Sequence, residues 1–280
     1  MVPLIHTVKP GSKLSLAELD PHSDGGLNRK KAEANLEKLT LEIDVLQELL
    51  FGAGTHSLLV VMQGMDTSGK DSTVRKVFGQ VSPLGSHVQS FKVPTEEELA
   101  HDFLWRVHRV VPQKGTIGIF NRSHYEDVLV VRVHGLVPEP VWRARYRMIN
   151  DFEYLLTQTN TIVLKFFLHI SKEEQAQRLM EREQELEKSW KLSAGDWRER
   201  ERWDDYLAAY DDALEQCSTE YAPWHVVPAD RKWFRNYAVA KTVAETLRPY
   251  KEGWLEYLSK QGAKRLEELK VYRAGQEPKA

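Results

Sequence analysis

Ser57-Leu58-Leu59-Val60-Val61-Met62 runs through Gln63 into Gly64-Met65-Asp66-Thr67-Ser68-Gly69-Lys70, and this junction decides the fold. A short, unbroken apolar run suits a parallel strand buried on both faces. The loop after it fits the first seven positions of the P-loop pattern, and the sequence predicts a helix from about Asp71. Glycines let such a loop curl until its N–H groups point inward at phosphate oxygens. Lys70 can then reach forward to neutralise a transferring phosphoryl group. Gly64, Met65, Thr67, Ser68, Gly69, Asp71 and Ser72 are the candidate phosphate ligands of this segment.

Two features depart from the usual pattern. Asp71 stands where Ser or Thr normally follows the lysine, with Ser72 and Thr73 just beyond. A carboxylate, Asp66, also lies inside the loop. Close to phosphate it would repel by a few kcal/mol in partly shielded surroundings, roughly. A cation between them removes that cost, so Asp66 is read as a Mg²⁺ ligand or as an orienter of metal-bound water. The alternative is an Asp that caps the following turn.

Outward from the loop, strands alternate with helices. Ala32, Leu36, Leu39, Ile43, Val45, Leu46 and Leu50 recur at helical spacing, predicting a helix over Arg29–Leu50 that Gly52 and Gly54 stop. Further strands are predicted near His87–Phe91, Gly115–Phe120, Thr161–Ile170 and Trp224–Val227. Helices are predicted from Thr95, over Tyr125–Val133, Glu139–Thr157, Lys172–Lys188, Asp196–Leu214 and Arg231–Leu247, and along the charged 250–280 tail. Residues 1–27 show little periodicity and read as a surface arm. This order argues for an α/β domain with a parallel sheet. One domain over 1–280 is expected, with a 28–250 core, a lid at about 178–202 and a C-terminal helix from 251.

Composition narrows the function. The 280 residues are 41% hydrophobic and 29% charged, with a net charge of −2, so a real core is affordable and a global basic field is absent. Generic nucleic-acid binding loses its simplest support, and any polyanion must meet a local cluster of Lys and Arg. One cysteine, Cys217, precludes an internal disulfide and is expected to be a small buried side chain. No apolar run has bilayer length and no signal peptide is visible, so a cytoplasmic protein is expected.

A second motif ends the third predicted strand: Ile117-Gly118-Ile119-Phe120 runs into Asn121-Arg122-Ser123-His124-Tyr125-Glu126-Asp127. Ligands of open α/β sheets bind at this edge. Arg122 can fork onto a phosphate, and Glu126 or Asp127 could complete a metal shell. A structural ion pair for Arg122 and a plain helix start for the two acids remain the alternative.

Taken together, Gly64–Asp71, Ser82-Pro83-Leu84-Gly85, Phe103-Leu104-Trp105-Arg106, Phe120–Asp127 and Trp190–Trp197 with Arg200–Tyr206 resemble the polyphosphate kinase 2 family, in family order. The resemblance implies a three-layer, thymidylate-kinase-like P-loop fold with a helical lid. It implies Mg²⁺-dependent transfer of phosphate between inorganic polyphosphate and the adenine nucleotides AMP, ADP and ATP. Asn121 with Glu126 resembles the class III subgroup, whose members phosphorylate both AMP and ADP. A neutral amide at 121 is a poor Mg²⁺ ligand, which points to Asp66 and Glu126 as the metal pair. Dimers or tetramers are implied, with 29–50 and 250–272 as candidate contact surfaces.

The expected chemistry is direct in-line transfer, carried by Asp66, Lys70, Arg122 and Glu126, without a phosphohistidine at His124. Asn121 and Arg132 join the phosphate and nucleotide ligands. A polyphosphate channel needs repeated cations, and Arg75, Arg178, Arg182, Lys191 and Arg198 are the candidates, with Arg178 and Lys191 preferred in the lid. The P-loop reads only phosphate, so an ATP-dependent nucleoside monophosphate kinase and a non-catalytic sensor are the competing readings. The tryptophans are expected to pack, and His101 with His108 to form no metal pair.

Overall fold

The computed structural model describes residues 4–184 and 193–274. In chain order the main elements are β1 (His6–Thr7), α1 (Arg29–Ala53), β2 (Ser57–Gln63), α2 (Lys70–Phe78), β3 (Ser86–Ser90), α3 (Glu96–Leu99), α4 (Trp105–His108) and β4 (Ile117–Asn121). There follow α5 (Val130–Val133), α6 (Glu139–Gln158), β5 (Thr161–His169), α7 (Lys172–Gln184), α8 (Ala194–Glu201), α9 (Trp203–Gln216), β6 (Trp224–Pro228), α10 (Lys232–Leu247) and α11 (Lys251–Ala274).

The sheet order is β1-β6-β5-β2-β4-β3. All pairings are parallel except that of β1 with β6. Every residue of β2 is buried. Alternation sorts its side chains between two cores. Leu59 and Val61 join Trp142, Ile149, Phe152 and Tyr210 of α6 and α9. Leu58, Val60 and Met62 join Leu36, Ile43, Leu50 and Val239 of α1 and α10. Helices therefore cover both faces, the three-layer α/β architecture expected from the alternating pattern. The chain leaves β2 for edge strand β3, returns to β4 beside β2, and then crosses to β5 on the other flank. This places the loops after β2 and β4 side by side at the carboxyl edge of the sheet.

Several elements differ from the sequence reading. The arm contributes a strand: His6 pairs with Val226 and Thr7 with His225, and Val8 N–H donates to Trp224 O at 2.9 Å. Helix α1 runs through Gly52 to Ala53 and stops at Gly54, whose φ of 59° is left-handed. Val45 faces outward, off the buried stripe. The helix from Thr95 is one turn closed by a capping box. Asp102 then starts a new turn by accepting from Leu104 N–H at 2.9 Å. His101 and His108 thus sit on separate segments, His101 stacked on Trp105 and His108 edge-on to Phe152. The segment 125–133 is a 3₁₀ turn over His124–Asp127 followed by the short α5. The single helix expected over Asp196–Leu214 breaks at Arg202 into α8 and α9. Among the described residues no helix is long and apolar enough to cross a membrane. Cys217 is buried and unpaired by any disulfide.

Candidate active site

The loop after β2 is a curl held from behind. A side chain at Gly64 would strike Leu168 O at 2.7 Å, so the loop passes hard against β5. Gly69 has φ 98°, and a Cβ there would lie 1.9 Å from Arg235 Nη1. Two buried arginines fill the space beneath. Arg235 Nη1 donates to Ser68 O at 3.0 Å and its Nη2 to Ser72 Oγ at 2.9 Å. Arg178 Nη1 donates to Thr67 O at 2.9 Å and Ser68 O at 3.3 Å, and its Nη2 to Ala229 O and Asp230 O, both at 2.8 Å. The remaining Arg178 nitrogen, Nε, binds Glu174 at 2.8 Å. The carbonyls of Thr67 and Ser68 are thus held from beneath, while Ser68 N–H donates back to Met65 O at 3.1 Å and closes the curl. Burial, then the charge of Arg178, lowers the Arg235 guanidinium to about 9.

Inside the curl, Thr67 Oγ1 and Ser68 Oγ are buried without a hydrogen-bond partner among the described residues. Buried hydroxyls are ordinarily paired, so this pair fits an absent anionic ligand. Lys70 opens α2 and folds back, its Nζ donating to Gly64 O at 2.7 Å and Met65 O at 3.1 Å. Burial, then the neighbouring Arg122, lowers its ammonium to about 8.

The loop after β4 meets this curl. Arg122 has φ 62°, and its N–H donates to Met62 O at 3.1 Å. From that turn its guanidinium forks, Nη2 to Asp66 Oδ1 at 2.5 Å and Nη1 to Glu126 Oε2 at 3.2 Å. Glu126, then Asp66, holds the guanidinium above its usual range against the effect of burial. Asn121 Nδ2 donates to Asp71 Oδ1 at 2.6 Å, closing the second contact between the two loops. Of the four side chains expected to carry the chemistry, Asp66, Arg122 and Glu126 line one cleft, and Lys70 lies buried behind the loop, off that lining. The cleft is completed by residues the sequence reading missed, among them Gln175, Glu199, Arg200, Trp203, Tyr206 and Tyr210.

The carboxylates suit a hard cation. Asp66 and Glu126 are partly exposed toward the cleft, and Mg²⁺ needs only one or two protein carboxylates beside water and phosphate oxygens. Among the described residues no cluster of three or more His, Cys, Asp or Glu is placed to hold a metal. Burial, then nearby Asp66, raises the Asp196 carboxyl against the opposing pull of Arg182 and Arg122.

The predicted channel cations are dispersed differently. Arg178 lies under the loop rather than over it, because its nitrogens are all engaged by protein oxygens. Arg132 pairs with Asp212 at 2.6 Å and stacks on Trp142, outside the cleft lining. Arg182 pairs with Asp196 at 3.1 Å. Ser72 is tied to Gly69 O at 2.9 Å and to Arg235. Arg75 and Arg198 are exposed on their helices. Lys191 lies outside the described residues, as do Trp190 and the C-terminal residues beyond 274. Arg200 supplies a cation to the cleft instead, its Nη1 anchored on Gln175 Oε1 at 3.0 Å.

Residues 26–252 match the family model described as Polyphosphate kinase 2 (PPK2). The chain is 52% identical over 245 residues to the AMP/ADP-polyphosphate phosphotransferase of Meiothermus ruber, across 86% of this chain and 91% of that relative. It is 41% identical over 262 residues to the ADP-polyphosphate phosphotransferase of Rhodopseudomonas palustris, across 89% and 91% respectively. The crystal structure of Polyphosphate Kinase 2 from Arthrobacter aurescens TC1 superposes with a TM-score of 0.83 at 42% identity, covering 89% of this chain and 93% of that one.

Proposed function

This chain belongs to the polyphosphate kinase 2 family, and from that premise we propose that it phosphorylates both AMP and ADP by direct, reversible in-line transfer from inorganic polyphosphate. It is a polyphosphate:nucleotide phosphotransferase. The observation that carries the residue-level reading is the Arg122 fork, which joins the loop carboxylate Asp66 to Glu126 beside a buried lysine and two hydroxyls without a partner among the described residues.

In this reading the amides of 64–70, with Thr67 Oγ1 and Ser68 Oγ, bind the phosphoryl oxygens. Lys70 exchanges its two loop carbonyls for phosphate. Arg122 orients the transferring group, and Asp66 with Glu126 holds Mg²⁺, which when bound neutralises phosphate charge. The acceptor is an anionic phosphate oxygen, so no side chain has to remove a proton from it. Asn121 and Asp71 keep the two loops in register. Arg178 and Arg235 act from beneath by fixing the loop carbonyls. Of the expected 178–202 lid, the residues after Arg178 act to exclude water, with Arg182, Arg198, Arg200 and Lys191 as the cations that meet polyphosphate there. We place this activity in the cytoplasm, in a homo-oligomeric enzyme that binds no nucleic acid.

The test is donor competition. ADP offered together with polyphosphate or with a nucleoside triphosphate, in the presence of Mg²⁺, is expected to be phosphorylated from polyphosphate. Phosphorylation of AMP from ATP alone, with none from polyphosphate, would reassign the chain to an ATP-dependent nucleoside monophosphate kinase.

A further inference from the structure

Beneath the turn that carries Arg122 lies a group of charged and polar side chains that no substrate can reach. Glu153 of α6 and Lys165 of β5 are fully buried and 2.5 Å apart. Neither lines the cleft. Lys165 Nζ also donates to Tyr125 Oη at 3.0 Å and to the Cys217 carbonyl at 2.6 Å. Glu153 Oε1 accepts from Tyr125 Oη at 2.8 Å and from His124 Nε2 at 3.2 Å. Burial pushes the Glu153 carboxyl upward, but Lys165 and His124 outweigh it and hold it below the usual range.

Such a pair is a poor device for stability alone. Desolvation consumes most of the Coulombic gain, and apolar pairs of similar volume often serve as well. What an apolar pair cannot do is hold hydrogen-bond donors in place. The adjoining turn needs that hold, because Arg122 adopts a left-handed φ of 62°. A non-glycine residue there is strained and persists only where its surroundings over-determine it. On one side the turn is fixed by Arg122 N–H on Met62 O and by Gln63 Nε2, which donates to Ser123 Oγ at 3.2 Å. On the other side its fixed points are His124 and Tyr125, gripped by the same carboxylate oxygen directly before Glu126.

We propose that Glu153, backed by Lys165, is a positioning residue for phosphoryl transfer: by holding His124 and Tyr125 it fixes the strained turn that aims Arg122 and Glu126 at the phosphate loop. The inference rests on the reading of this cleft as the polyphosphate transfer site. A displacement of about 1 Å in an orienting group costs on the order of 100-fold in rate, so the clamp acts on kcat rather than on nucleotide affinity.

Two double variants of the full chain separate this role from a structural one. Glu153→Leu/Lys165→Met fills the volume without charge or acceptor. Glu153→Gln/Lys165→Met also removes the charges but keeps an oxygen for Tyr125 and His124. Thermal unfolding and steady-state transfer from polyphosphate to ADP are measured for both and for the wild type. At matched melting temperatures, the Leu/Met variant is expected to lose about 30-fold or more in kcat with little change in KM for ADP. The Gln/Met variant is expected to stay within about fivefold of wild type. Equal kcat in the two variants at equal melting temperature overturns the proposal. If the Leu/Met variant fails to fold, Tyr125→Phe decides, since it keeps the ring and the ion pair. A loss of about fivefold or more in kcat at near-wild-type stability supports the clamp, and an unchanged kcat overturns it. A wild-type chain inert toward polyphosphate is a different failure, visible before any variant is compared, and it removes the reading of the cleft together with the clamp.

Discussion

Arg122 Nη2 lies 2.5 Å from Asp66 Oδ1, so the turn that ends β4 grips the carboxylate at the centre of the loop that ends β2. Neither side chain has that geometry from its own segment. It exists because β2 and β4 pair in parallel with Met62 opposite Asn121, which brings the two loops out at the same level. Asp66 is thereby held at the cleft edge without substrate.

Asp66→Ala is expected to lower kcat by on the order of 100–1,000-fold, the scale seen when one preorganised charge-stabilising group is removed. The melting temperature should move only slightly, since the side chain is partly exposed. Initial rates measured across a Mg²⁺ titration check this, and near-normal turnover removes Asp66 from the site.

Arg122→Lys keeps the charge and loses the fork. A point ammonium cannot engage Asp66 and Glu126 together, so kcat is expected to fall about as far as in Arg122→Ala, to within roughly tenfold. Full activity in the lysine variant would show that charge alone suffices.

Glu126→Ala is expected to change the ratio of kcat/KM for AMP and ADP, because one arm of the Arg122 fork is lost together with one of the two carboxylates proposed to hold the metal. Competition between the two nucleotides in one reaction reads the ratio directly. Equal losses on both would count against a selective role for Glu126.

The Lys70 ammonium, lowered to about 8 by burial and then by Arg122, is charged below that pH and neutral above it. Only the charged form attracts phosphate, so affinity is present below this value and lost as pH rises through it. The profile of kcat/KM for polyphosphate should therefore bend downward near the free enzyme's Lys70 value. In Lys70→Arg, which stays protonated, the remaining activity should show no such bend.

Gly69→Ala places a methyl group against the Arg235 guanidinium in a backbone conformation that L residues rarely adopt. The loop must shift or Arg235 must leave Ser68 O. A loss of about 2 kcal/mol or more is expected in thermal or denaturant unfolding, with weakened polyphosphate binding. A variant as stable as wild type would show that the loop is not braced by Arg235.

What the sequence disclosed was mostly contiguous. The strand, curl and helix around Gly64–Lys70 are legible because they follow one another within a single stretch. The end of β4 at Asn121 is legible for the same reason. The underside of the loop was hidden, because Arg178 and Arg235 reach it from 110 and 167 residues away. A lone arginine in a helix carries no local sign of such a contact, and Arg178 was therefore expected above the phosphates. The two-residue β1 is too short to show alternation. Arg202 interrupts a helical pattern without a glycine or proline to mark the break. The Glu153–Lys165 pair joins a helix and a strand whose sequences give no reason to expect charge in the core.

The most direct measurement follows ³¹P resonances of AMP, polyphosphate and Mg²⁺ incubated with the enzyme in the absence of ATP. Growth of ADP and then ATP signals at the expense of polyphosphate, abolished in Lys70→Ala, is the predicted result. Persistence of AMP with intact polyphosphate in the wild-type reaction would contradict it.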